Sequence, residues 1–143
     1  MRVLHNVSFI ALLASGCSDP TDGSLSGQEL YPGKPPGARW YSREQVASGS
    51  QIFETNCAEC HGANAEGIHA NWKQKLPDGS FPPPPLDGSA HAWHHSRSVL
   101  LEVIENGGIA LGGKMPAFGA VLNGEEKLAA IAYFQNFWDD ETY

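Results

Sequence analysis

Five residues near the middle of the chain, Cys57-Ala58-Glu59-Cys60-His61, constrain its fold more than any other feature. Cys-x-x-Cys-His is the attachment signature of c-type haem. In a helical segment, residues three apart lie on one face, so both thiols can reach the two vinyl groups along one porphyrin edge. His61 then lies under the iron as its proximal ligand. Three other uses of such cysteines are open. A thioredoxin-like pair needs a βαβ context, and the surrounding pattern offers none. Structural zinc needs two more Cys or His ligands at suitable spacing. A Cys57–Cys60 disulfide leaves His61 without a role.

A buried cofactor also suits the rest of the composition. With 143 residues there is room for one domain, and 16 glycines and 10 prolines imply a fold rich in loops. Such a chain buries a limited core of its own, and a bound group helps hold it together. The net charge of −7 comes without a Lys/Arg cluster, which argues against nucleic acid and against electrostatic adhesion to anionic lipid. An acidic balance is compatible with docking on a basic patch of a protein partner, and equally with a role in solubility alone.

The N-terminus reads as an export signal. Arg2 precedes a short apolar run, Val7 to Leu13, and then Ala14-Ser15-Gly16-Cys17. The run is shorter than the roughly 20 residues that a permanent span needs. The stretch Leu12 to Cys17 resembles the lipobox of bacterial lipoproteins, which makes Cys17 the expected lipidated residue. That family usually has Leu where Ala14 stands, and Ala14 with Gly16 also suits an ordinary signal peptidase. Lipidation would leave no spare thiol in an oxidising compartment. Residues 18–38 are rich in Gly, Ser, Pro and Asp and read as a flexible tether.

Apart from the initiator, Met115 is the only methionine. It sits in Gly112-Gly113-Lys114-Met115-Pro116, where glycine and proline favour an extended loop over a helix. Lone methionines usually fill gaps in cores. A loop of this kind can instead present a thioether to the iron opposite His61. His/Met ligation raises the reduction potential and occupies both axial sites, which suits electron transfer. His69 and His91 are rival ligands.

Together these features resemble class I cytochromes c, small mono-haem domains of the soluble bacterial type, over about residues 40–139. The resemblance implies an all-α, cytochrome c-like fold, loop-rich, with three to four helices wrapped around one covalently bound haem c. Residues 43–56 follow a plausible cap at Ser42 and place Val46, Gly49, Ile52 and Phe53 at helical spacing. Gly49 and Phe53 match the family's Gly and aromatic pair, which packs on the C-terminal helix. That helix is predicted from Glu125 to Trp138, after a break at Asn123-Gly124, with Tyr133 as the aromatic that meets the first helix. Pro84-Pro85-Leu86-Asp87-Gly88 matches the family's Pro-x-Leu-x-Gly stretch, in which a proline carbonyl accepts a hydrogen bond from the proximal histidine. Four consecutive prolines leave its register open by one residue. A third, amphipathic helix is predicted from Arg97 to Asn106, ended by Gly107-Gly108.

By analogy with relatives, Trp93, His94 and Arg97 are candidates to bind haem propionates. His94 and His95 are alternatively surface residues. Trp72, with Lys73 and Lys75, is placed to shield a haem edge or to serve as ordinary loop packing. The expected organisation is a signal peptide over 1–16, a lipid-attached flexible tether over 17–38 and a cytochrome c domain over 39–143.

The expected function is periplasmic one-electron transfer between a redox donor and an acceptor, by a monomeric, non-enzymatic, lipid-anchored carrier. Two alternatives stand beside it. One is a haem enzyme or gas sensor with an open distal site. The other is a haem subunit docked on a membrane oxidase or dehydrogenase.

Overall fold

The computed structural model describes residues 39–143, so the signal, the tether and Cys17 lie outside the described residues. Four α-helices carry this part: α1 (Arg43–Asn56), α2 (Ala58–His61), α3 (Arg97–Asn106) and α4 (Gly124–Gln135). Short 3₁₀ turns at Ala92–His94 and Ile109–Leu111 punctuate the loops, and no strand occurs among the described residues. The architecture is the expected all-α one.

Each long helix starts where a side chain satisfies its free amides. Ser42 Oγ accepts from the Gln45 amide at 3.2 Å, and the Gln45 side chain accepts from the Ser42 amide at 2.9 Å. Asn123 and Glu126 form the same reciprocal box at the head of α4, at 3.0 and 2.8 Å. A missing cap of this kind typically costs about 1 kcal/mol. Gly124 is therefore the first residue of α4 and not part of a break before it.

The crossing of α1 with α4 organises the core. Helix α4 is buried from Ala129 to Gln135 without a polar stripe, and its alanines let another backbone come close. Gly49 faces it at a distance no side chain tolerates: a Cβ there would lie 1.9 Å from the Ala129 carbonyl oxygen. Beside this contact the Phe53 and Tyr133 rings pack with centroids 5.1 Å apart.

Helix α4 stops at Gln135, short of the predicted Trp138. The Phe137 and Trp138 amides bond carbonyls three residues back, at 3.3 and 3.1 Å, which tightens the chain into a turn. This turn lets the Trp138 indole N–H donate to the Leu86 carbonyl at 2.7 Å, a contact the sequence pattern does not encode. Arg39 closes the same corner by donating to the Trp138 carbonyl at 2.8 Å and lying 3.7 Å over the Tyr143 ring.

Tyr41 is 3% exposed in this corner, and its hydroxyl lacks a hydrogen-bond partner among the described residues. Burial pushes its phenol up to about 12, against a smaller opposing pull from Arg39. Because the folded value lies above the unfolded one of about 10, stability is constant below about pH 10 and is lost as the pH rises toward 12. An ultraviolet phenolate titration of the folded protein should show Tyr41 ionising near pH 12, about two units above a free phenol. A titration complete by pH 11 without unfolding would contradict this burial.

Candidate haem site

Helix α1 ends at Asn56, and Cys57 breaks its path with φ −124° and ψ −34° before α2 begins. The Cys60 and His61 amides both bond the Cys57 carbonyl, at 3.1 and 2.9 Å. The motif is thus wound into one helical turn, which Gly62 terminates at φ +80°. Both cysteines are free thiols, with Cys57 half-buried and Cys60 exposed. Burial pushes the Cys57 thiol up to about 11. A redox pair of the thioredoxin kind needs the opposite, a lowered thiol pKa.

The loop after the motif folds back to present an acceptor to His61. Leu86 and Asp87 donate their amides to the Ala65 carbonyl at 2.7 and 3.2 Å, which brings the proline run alongside α2. Here His61 Nδ1 lies 2.9 Å from the Pro84 carbonyl oxygen. A carbonyl can only accept, so Nδ1 carries the proton and Nε2 keeps a bare lone pair. Burial lowers the His61 pKa, partly offset by this bond, and so favours the neutral ring a metal requires. Tyr133 anchors the same loop through its hydroxyl, which donates to the Ala63 carbonyl at 2.9 Å.

These residues open on a cavity of about 520 Å³. Cys57, Cys60 and His61 lie on its wall together with Met115, from the loop after α3. Leu100, Val103, Ile104, Phe118 and Phe134 make most of the remainder apolar. The size falls in the range of cofactor sites, and an apolar lining with a few polar groups is what such sites require. Two thiols, a neutral imidazole with a free Nε2 and a thioether are the donor set that a covalently attached haem takes. The residues present therefore fit the group.

Met115 sits in an extended stretch held by turns of glycine. Gly108 donates its amide to the Met115 carbonyl at 2.9 Å, and a Cβ on Gly107 would lie 2.7 Å from that same oxygen. An ion pair between Lys114 and Asp78 links this loop to the one that follows the motif, as does the Phe81 amide bond to the Gly112 carbonyl at 2.9 Å.

The propionate candidates are not on the cavity wall. Trp93 and His94 stack on each other at 3.7 Å and are exposed, while the Arg97 guanidinium lies 4.5 Å over Trp40. The cavity takes His91 and His95 instead, with Trp72 and Lys73. His91 stacks on Trp72 at 4.9 Å, and burial lowers its pKa first, ahead of its cationic neighbours. His69 does not line the cavity. Sequence reasoning also missed Phe81 and Leu111, which sit on the wall from loops without any periodic signal.

Comparison with known proteins places the chain in a family. The family model described as cytochrome c oxidase, cbb3-type, subunit III matches residues 44–134. The chain belongs to this family. The chain is similar to two curated proteins, each described as a cbb3-type cytochrome c oxidase subunit FixP. The one from Azorhizobium caulinodans is 34% identical over 100 residues, which cover 70% of this chain and 26% of the relative. The one from Sinorhizobium medicae is 29% identical over 94 residues, covering 62% and 28%. The chain thus spans about a quarter of the length of these relatives. No solved structure gives a significant match. As a cbb3-type subunit III family member the chain is a class I mono-haem cytochrome c domain, with covalent haem c at the Cys57–Cys60 motif and haem electron transfer as its chemistry. Among the described residues no helix is long and apolar enough to cross a membrane.

Proposed function

We propose that this domain is a periplasmic one-electron carrier whose iron is held between His61 and Met115. The observation that carries the reading is the position of both residues on the wall of one cavity that also holds Cys57 and Cys60. Haem c supplies a single iron centre that gains and loses one electron. Everything else falls to the chain. The thiols fix the group in place, Pro84 holds His61 in one tautomer, and the apolar walls keep water from the metal. With His61 and Met115 both holding the iron, the haem would supply one-electron chemistry and leave no position for a substrate, which would make the domain a carrier and not a catalyst.

The donor and acceptor are redox proteins, and the names of its relatives point to a cbb3-type oxidase as the acceptor. A lipid on Cys17 and the tether of residues 18–38 would hold the monomeric domain at the membrane. A domain docked permanently on such an oxidase is the second reading, and the relation to oxidase subunits favours it. Co-purification with the oxidase in detergent and salt separates the two.

The visible spectrum of the holoprotein, oxidised and reduced, with and without carbon monoxide, tests the proposal. A sharp low-spin reduced spectrum, an iron–sulfur charge-transfer band on oxidation and indifference to carbon monoxide are expected. A high-spin spectrum that shifts with carbon monoxide would move the domain to the enzyme or sensor class.

A further inference from the structure

The turn that carries Met115 is braced from two sides. On the α3 side the Gly113 amide donates to the Gly108 carbonyl at 3.0 Å, and the Gly108 amide donates to the Met115 carbonyl at 2.9 Å. These two bonds bracket Lys114. On the other side lies the segment 70–81, seated on the cavity wall by Trp72 and Phe81. Among the described residues its backbone bonds stay within the segment except one, from the Phe81 amide to the Gly112 carbonyl at 2.9 Å. One side-chain bond spans the same gap, with Lys114 Nζ donating to Asp78 Oδ2.

Asp78 is fixed independently of the lysine. Its Oδ1 accepts from the Ser80 amide at 2.9 Å and from the Ser80 hydroxyl at 2.6 Å, which leaves Oδ2 for the ammonium. Exposed ion pairs usually contribute little, because two side chains must be ordered to form them. Here the carboxylate is already held by its own turn and the lysine backbone is already bracketed, so less ordering remains. The bond also acts where the chain is least able to restrain itself. Gly107 and Gly112, at φ +78° and +83°, flank the turn, and glycine leaves many other conformations open to the backbone.

We propose that Asp78 is a positioning residue for the axial methionine: through Lys114 it holds the Met115 turn against the cavity and slows departure of the thioether from the iron. The proposal rests on the His61/Met115 reading and adds to it a residue from a separate loop. For the thioether to leave, the turn must move off the wall, and the Asp78–Lys114 bond must stretch or break as it does so. An electron carrier gains from this restraint, since both axial bonds have to persist through each change of oxidation state.

Imidazole, a ligand of oxidised haem, tests the proposal on the holoprotein. The iron–sulfur bond breaks and an iron–nitrogen bond forms, and at saturating imidazole the rate is limited by departure of the thioether. Asp78→Asn should raise this limiting rate about threefold, in keeping with the strength of an exposed pair. The iron–sulfur charge-transfer band should also be lost at a lower temperature, while the denaturant midpoint of global unfolding stays unchanged. Asp78→Glu, which keeps the charge and the acceptor, should restore most of the original rate. Asp78→Lys combined with Lys114→Asp should exchange more slowly than either single reversal. Glu54→Gln removes the same charge from an exposed position on α1 and should leave the rate as it was. Equal limiting rates in Asp78→Asn and the unaltered protein would overturn the proposal. So would a rate that rises only in step with a fall in the global midpoint, because the pair would then serve general stability alone. An unaltered protein without an iron–sulfur band would instead fault the Met115 reading itself.

Discussion

Replacing Met115 by alanine should convert a protein indifferent to carbon monoxide into one that binds it on reduction. Met115 is the one thioether on the cavity wall, and its loop is held by glycine turns and the Lys114–Asp78 pair, which do not depend on the side chain. The variant should therefore fold and keep its haem, while the position opposite His61 opens to water or gas. The iron–sulfur band should vanish, and the reduction potential should fall, since an axial methionine raises it. A variant with an unchanged reduced spectrum, in the presence and absence of carbon monoxide, would show that Met115 only fills space.

The second large effect is structural. Gly49→Ala should destabilise the domain by about 3 kcal/mol or more, because the added Cβ meets the Ala129 carbonyl and not a flexible side chain that can step aside. Neither helix can retreat without parting Phe53 from Tyr133. For a domain of this size the loss corresponds to a Tm lower by about 12 °C or more. A Tm within about 2 °C of the original would mean that α1 and α4 are free to separate, and the contact would then have no organising role.

Where local chemistry decides an outcome, these features are legible in the sequence. The start of α1 and the end of α3 follow from Ser42 and Gly107, whose side chain or conformation acts on its nearest neighbours. The attachment motif is legible for the same reason, whereas the close contact at Gly49 is readable only through the resemblance to class I cytochromes c, whose first helix carries that glycine. The far end of α4 is not legible. Its apolar pattern continues to Trp138, but the indole is drawn to the Leu86 carbonyl, 52 positions away, and the helix gives way. The wall of the cavity is hidden in a similar manner. Within the Ala92–His94 turn the chain carries Trp93 and His94 to the surface, while their neighbours His91 and His95 reach the cavity. These histidines are alike in composition and all exposed, and only the path of a short irregular turn decides which of them border the cavity.

The bond from His61 to Pro84 has a consequence for what can be lost by mutation. Its acceptor is a main-chain carbonyl, which every amino acid carries, so no change of side chain at position 84 removes the acceptor itself. What a substitution can alter is the course of the chain, and three further prolines on either side of that residue, at 82, 83 and 85, keep the course stiff. Inheritance of this contact is thus spread over a segment and not entrusted to one codon. Single replacements within the run should be tolerated, whereas insertion or deletion of a residue there would carry the carbonyl out of reach.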